Sequence, residues 1–213
     1  MTITKEQIAK DLLSIRAVFL KPDEPFTWAS GIHSPIYCDN RLTLSAPAVR
    51  KDVEAGLAGI VKEKFPEAEM LMGTSTAGIA HAAITATILD LPMGYVRSGH
   101  KDHGRQNQIE GKMEPGTKVV VIEDLISTGG SVLEVVDVLR QAGAEGLGIA
   151  SIFTYGLQKG VERLAAADVV NYSLSDFDTL SKVAAAEGYI ADKDIAKLTA
   201  FQKNPQDPAW MEL

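Results

Sequence analysis

The chain has one cysteine, Cys38, so an internal disulfide framework is excluded, as is a cysteine cluster for zinc, and a reducing compartment is expected. No apolar run approaches the roughly 20 residues needed to cross a membrane, and residues 1–10 are too polar for a signal peptide. These absences predict a cytoplasmic protein with no membrane partner. Positive charge is also short: 21 Lys and Arg face 28 Asp and Glu, a net charge of −7. Nucleic acid and anionic membranes are gripped by a surplus of cations, so neither is expected as a partner, and any phosphate ligand must be held by local donors. Internal repeats and low-complexity segments are missing as well. Residues 1–213 therefore read as one domain, long enough to bury a substantial core, with a small appendage at about 20–45.

What is present is an alternation. Thr4 and Gln7 form a capping-box pattern ahead of Ile8, Leu12 and Ile15 on one helical face. The turn formers between Phe26 and Leu44 predict a loop-and-strand appendage. Ser45 ahead of Ala46 and Pro47 marks a second helix start, with Val49, Val53, Leu57, Ile60 and Val61 as its buried stripe. Apolar runs at 70–72, 93–96, 118–122, 147–153 and 169–174 are strand-length and lack polar alternation, as strands covered on both faces do. Helical stretches at 77–89, 131–142 and 157–167 separate them, and two more, at about 177–186 and 192–201, precede Pro205 and Pro208. The fold class predicted is α/β: a mostly parallel, doubly wound sheet flanked by helices.

The stretch VVVIEDLISTGGS carries the chemistry. A buried run ends in Glu123 and Asp124, passes through Leu125 and Ile126, and continues as Ser127, Thr128, Gly129, Gly130 and Ser131 into a helix. Small and hydroxyl residues at a helix N-terminus present backbone N–H groups, hydroxyls and the positive end of a helix dipole to a phosphate. The two carboxylates cannot bind phosphate; they suit sugar hydroxyls, with a metal ion carried nearby on the ligand's own oxygens. A plain strand-to-helix turn with capping acids is the competing reading. Two acids directly after a buried strand weigh against it, because they are costly there unless solvated or occupied. The Gly-Lys-Ser/Thr of a P-loop and the three-glycine dinucleotide fingerprint are both missing.

This segment resembles the phosphoribosyl pyrophosphate (PRPP) motif of the type I phosphoribosyltransferases. The resemblance implies that Glu123 and Asp124 hold the ribose 2- and 3-hydroxyls and that Ser127, Thr128, Gly129, Gly130 and Ser131 wrap the 5-phosphate, with Leu125 and Ile126 between. It also implies Mg²⁺ as cofactor, held mainly by PRPP oxygens and water rather than by protein ligands.

Within that superfamily, the cationic stretch YVRSGHKDHGRQNQIEG narrows the substrate. From residues alone it is equally well a catalytic loop or a solvated basic surface loop. Arg97, Lys101, His103 and Gly104 match a pattern of the orotate phosphoribosyltransferases. That similarity implies catalytic and PRPP-binding roles for Arg97, Lys101 and His103. It further implies a homodimer in which this loop serves the neighbouring subunit's site. Ser98 stands where many relatives have a second cation.

FTWASGIHSPIYCD is similar to the family's N-terminal hood, which implies orotate contacts at Tyr37 and Cys38 together with Ser127. Ala29 and Tyr155 stand where relatives carry Lys and Arg. Thr74, Ser75, Thr76, Ala77 and Gly78 are similar to the family's pyrophosphate loop. The implied activity is transfer of phosphoribose from PRPP to orotate, in pyrimidine biosynthesis. A phosphoribosyltransferase for uracil or a purine shares the acid-and-phosphate motif but not the Lys101 and His103 pattern. A non-catalytic PRPP sensor needs a nucleic-acid-binding surface, which a charge of −7 does not provide. His33 and His81 lack metal-ligand partners at helical spacing and read as structural, Trp28 and Trp210 as packing residues, and Cys38 as unreactive.

Overall fold

The computed structural model describes residues 3–28, 31–99 and 108–213. Helix α1 (Lys5–Ser14) starts where Thr4 Oγ1 accepts from the Gln7 N–H, 3.2 Å away. The return half of the capping box does not form, because the Gln7 amide donates to Asp11 Oδ1 instead. Ile8 and Leu12 are fully buried, while Ile15, at the C-cap, is half-buried. Two short antiparallel pairs follow: β1 (Val18–Leu20) with β4 (Ile36–Cys38), and β2 (Phe26–Thr27) with β3 (His33–Ser34). A 3-10 helix, Asn40–Ser45, leads into α2 (Pro47–Lys64). Ser45 therefore does not cap that helix: it closes the 3-10 turn, and Ala46 occupies the N-cap without a side-chain bond. The start is set by Pro47, whose missing N–H costs nothing in a first turn.

The central sheet alternates as the apolar runs require: β5 (Met70–Thr74), α3 (Ala77–Leu89), β6 (Met93–Val96), β7 (Ile109–Glu110), β8 (Lys118–Ile126), α4 (Gly130–Gln141), β9 (Glu145–Thr154), α5 (Gln158–Ala166) and β10 (Asn171–Asp176). Helices α6 (Phe177–Ala186) and α7 (Asp194–Lys203) and a 3-10 helix, Pro208–Glu212, close the chain. Strand order is β10-β9-β8-β5-β6-β7, parallel except for β7, which pairs antiparallel with β6. Strand β7 is an addition to the expected elements.

Alternate strand residues feed opposite layers. Leu71, Val120, Ile122 and Ile152 pack with α1, α2, α6 and α7, whereas Met70, Met72, Val119, Val121 and Ile149 pack with Val132, Val136 and Leu139 of α4 and Leu164 of α5. This is the doubly wound α/β architecture. The chain leaves β5 toward β6 on one side and returns to place β8 on the other. The loops at the ends of β5 and β8 therefore part from each other, opening the crevice where such sheets bind ligands. No helix among the described residues is long and apolar enough to cross a membrane.

Candidate active site

At that crevice lies a cleft of about 340 Å³, of the size small-molecule sites have. It is lined by Thr74, Ser75, Thr76 and Ala77 after β5, by Glu123, Asp124 and Leu125 of β8, by Ser131 of α4, and by Arg97, Ser98, Gly99 and Gln108. The acids sit on strand rather than loop, since β8 keeps its ladder with β9 through Ile126↔Thr154.

Glu123 is 6% exposed. Its Oε1 accepts from Thr74 Oγ1 at 2.7 Å and from the Asp124 N–H at 2.8 Å. Burial pushes its carboxyl up to about 8; the adjacent Asp124 side chain adds to this, and the Thr74 hydroxyl and the Asp124 N–H oppose it. Asp124 is half-buried, and its carbonyl accepts from Asn40 Nδ2 at 2.7 Å.

Raising a carboxyl from 4.5 in the unfolded chain to about 8 means the folded state binds more protons between those values. Its stabilising contribution is complete below about pH 4.5 and is lost as pH rises through about 8. Glu123→Gln reproduces the protonated acid and keeps an acceptor for Thr74. Its thermal stability should match the parent at pH 5 and exceed it at pH 9, by roughly a few kcal/mol. Parallel melting profiles for the two proteins across that range would contradict the assigned burial cost.

The turn from β5 into α3 comes close to β8. A Cβ on Gly78 would lie 2.4 Å from the Ile122 carbonyl oxygen and 2.4 Å from Thr74 Oγ1, the hydroxyl that holds Glu123. Gly78→Ala must move backbone, and should cost about 1–3 kcal/mol in denaturant unfolding. Unchanged stability would show that the approach is looser. The Ser75 hydroxyl donates to the Val96 carbonyl at 2.6 Å, pinning this turn to β6.

Beyond β8, Gly129 takes φ +73° at the N-cap of α4, a conformation that favours glycine, and no side chain caps that helix. The first-turn N–H groups of α4 thus lack a side-chain acceptor at the mouth of the crevice. Ser127 and Thr128 line a separate cleft with Trp28, Ile32, Leu157 and Lys203. Ile126 is buried, with its carbonyl accepting from the Tyr155 N–H at 2.9 Å.

Arg97 Nε lies 3.1 Å from Glu110 Oε1, and its backbone N–H donates to the Gln108 carbonyl at 2.9 Å. Gly99 and Gln108, which bracket residues 100–107 in sequence, both line the cleft. Lys101, His103 and Gly104 lie outside the described residues, as does Ala29.

On the hood side, Tyr37 is 43% exposed. Cys38 is half-buried, and its Sγ–H donates to Asn40 Oδ1 at 3.2 Å. Burial, with Asp124 and Asp39 adding to it, pushes the Cys38 thiol well above its usual range, so it remains a thiol. Tyr155 is buried against Trp28, Phe153 and Phe177 at 5.6–6.2 Å between ring centroids. Trp28 and Trp210 both pack on Phe201. Among the described residues, no group of three or more His, Cys, Asp or Glu could hold a metal ion.

Three features were not visible in advance. Asn40 ties the hood to Asp124, and Thr74 serves Glu123 with its side chain. Glu54 and His81 form a third, a buried pair 2.7 Å apart. A glutamate on the apolar stripe of α2 and a histidine inside the apolar α3 were the only local signs of it.

A model of the phosphoribosyl transferase domain matches residues 43–181, the span that includes β5 to α5 and the crevice. The orotate phosphoribosyltransferase of Bacillus subtilis is 60% identical over 210 residues, covering 99% of this chain and 97% of that one. That of Bacillus cytotoxicus is 59% identical over 207 residues, covering 97% and 99%. Among solved structures, the orotate phosphoribosyltransferase from Aeropyrum pernix aligns with a TM-score of 0.74 at 28% identity, covering 86% of this chain and 99% of that chain. With nearly full-length identity of this order to sequence relatives and the same fold in a solved structure, the chain belongs to the orotate phosphoribosyltransferase family.

Proposed function

We propose that the chain moves the 5-phosphoribosyl group of PRPP onto N1 of orotate, giving orotidine 5'-monophosphate and pyrophosphate for pyrimidine synthesis. The bond from the anomeric carbon to the pyrophosphate oxygen breaks, a bond from that carbon to N1 forms, and the N1 proton passes to water or to the departing pyrophosphate. The observation that carries this reading is the pairing of two acids with an uncapped helix N-terminus at the switch point of the sheet.

In this reading the ribose 2- and 3-hydroxyls meet Glu123 and Asp124. The 5-phosphate takes the amides and hydroxyls of residues 127–131, and the pyrophosphate rests on residues 74–78. Orotate lies between Ser127 and the backbone at Tyr37 and Cys38. Its N1 is already acidic, so positioning and charge stabilisation do the work and no strong base is needed. Arg97, steadied by Glu110, lines the cleft toward the leaving group. The family pattern gives Lys101 and His103 the task of neutralising it.

Mg²⁺ fits this donor set as a passenger of PRPP. Glu123 is buried, already engaged with Thr74 and favours its protonated form, which leaves Asp124 as the cleft carboxylate able to approach the metal. When bound, the ion supplies positive charge that offsets the charge of the departing pyrophosphate. The same reading carries a cytoplasmic homodimer in which residues near Lys101 serve the other subunit's site.

The test is a panel. Purified protein is mixed with PRPP and Mg²⁺ and with orotate, uracil or a purine base in turn, and pyrophosphate release is followed. Release with orotate alone is expected. Release with another base instead would reassign the substrate, and PRPP binding without consumption would favour a sensor.

A further inference from the structure

Asn40 is fully buried, and its side-chain amide bridges parts of the chain that are remote in sequence. Its Oδ1 accepts from the Cys38 thiol at 3.2 Å, and its Nδ2 donates to the Asp124 carbonyl at 2.7 Å, 84 residues away. The direction of the amide is settled by these partners, since a carbonyl can only accept and Nδ2 can only donate.

Asn40 is itself held from behind. Its own carbonyl accepts from Thr43 Oγ1 at 2.6 Å, and Thr43 Oγ1 lies 3.5 Å from His81 Nε2, a weak contact. His81 Nδ1 is 2.7 Å from Glu54 Oε1, and Glu54 Oε2 accepts from Thr85 Oγ1 at 2.9 Å. Thr43, His81 and Thr85 are fully buried and Glu54 is 2% exposed. A Glu and a His in a core give up strong hydration, and apolar residues of similar volume would fill the same space at no such cost. The group spans α2, α3, the 3-10 helix at Asn40–Ser45 and β8. Helix α3 begins directly after residues 74–76, which line the crevice together with Asp124 of β8.

We propose that Asn40, braced by Thr43 and the buried Glu54–His81 pair, is a positioning residue that sets Asp124 for the ribose and ties the Tyr37–Cys38 segment to it. This rests on the PRPP site proposed above. It adds that the base-side segment and the ribose acid are located by one shared buried amide rather than independently.

The test compares Asn40→Leu, which keeps the branched shape and number of heavy atoms and removes both hydrogen bonds, with Thr43→Val, which leaves Asn40 in place and removes only the brace. For each, KM for PRPP, kcat with orotate and the thermal midpoint are measured. Asn40→Leu should raise KM for PRPP about tenfold, and Thr43→Val about two- to threefold, with kcat changed less than KM. A merely structural role would reduce the folded, active fraction and so lower apparent kcat at unchanged KM. That pattern, or unaltered kinetics in both folded variants, overturns the proposal. Should Asn40→Leu not fold, an unchanged KM in Thr43→Val overturns it alone. Absence of orotate-dependent turnover in the parent protein would instead sink the functional reading.

Discussion

Lys101→Ala should lower kcat by on the order of several hundredfold while leaving the thermal midpoint in place. The leaving pyrophosphate gathers negative charge as its bond to the anomeric carbon lengthens. A cation that meets the charge only then lowers the barrier without tightening the ground state. Arg97, Gly99 and Gln108 all line the described cleft, and Arg97 and Gln108 are joined through their backbones. Because the loss is confined to the transition state, kcat and kcat/KM should fall together, and PRPP affinity measured by calorimetry should change little. Turnover near that of the parent would remove Lys101 from the mechanism.

Asp124→Asn should weaken PRPP binding by roughly ten- to a hundredfold, the range expected when hydrogen bonds from two sugar hydroxyls to a charged acceptor are lost or reversed. The backbone of Asp124 is fixed by Asn40 and by the β8–β9 ladder, so a change of side chain leaves its location intact. The contrast with Glu123→Gln separates the two acids. Glu123 is buried and favours its proton, so its loss of charge registers as stability at alkaline pH; Asp124 faces the cleft, and its loss should register as affinity. Equal PRPP affinity in Asp124→Asn and parent protein would dissociate the acid from the ribose.

The frame of the fold was legible because its strands are covered on both faces. Runs such as MLM at 70–72 and MGYV at 93–96 have no polar alternation, and helices α3 and α6 fall at the expected residues. Local rules failed where partners are distant. The strand Ile109–Glu110 exists because Tyr95 and Val96 pair with it, and nothing in a dipeptide announces that. The start of α2 was legible at Pro47, although Ala46 rather than Ser45 holds its N-cap position.

The two acids were legible as candidates because carboxylates after a buried strand demand a reason, and both line the cleft. What holds them was not. The bond from Thr74 to Glu123 joins residues 49 apart, and that from Asn40 to Asp124 joins residues 84 apart. The first follows from the adjacency of β5 and β8 and the second from the packing of the 3-10 helix beside β8, neither of which a local pattern encodes.

A crystal structure of the protein soaked with PRPP and Mg²⁺ tests the central claim most directly. Ribose hydroxyls within hydrogen-bonding distance of Glu123 and Asp124, with the 5-phosphate on the amides of residues 127–131, are the predicted result. PRPP held at any other place, with the N-terminus of α4 left bare, would contradict it.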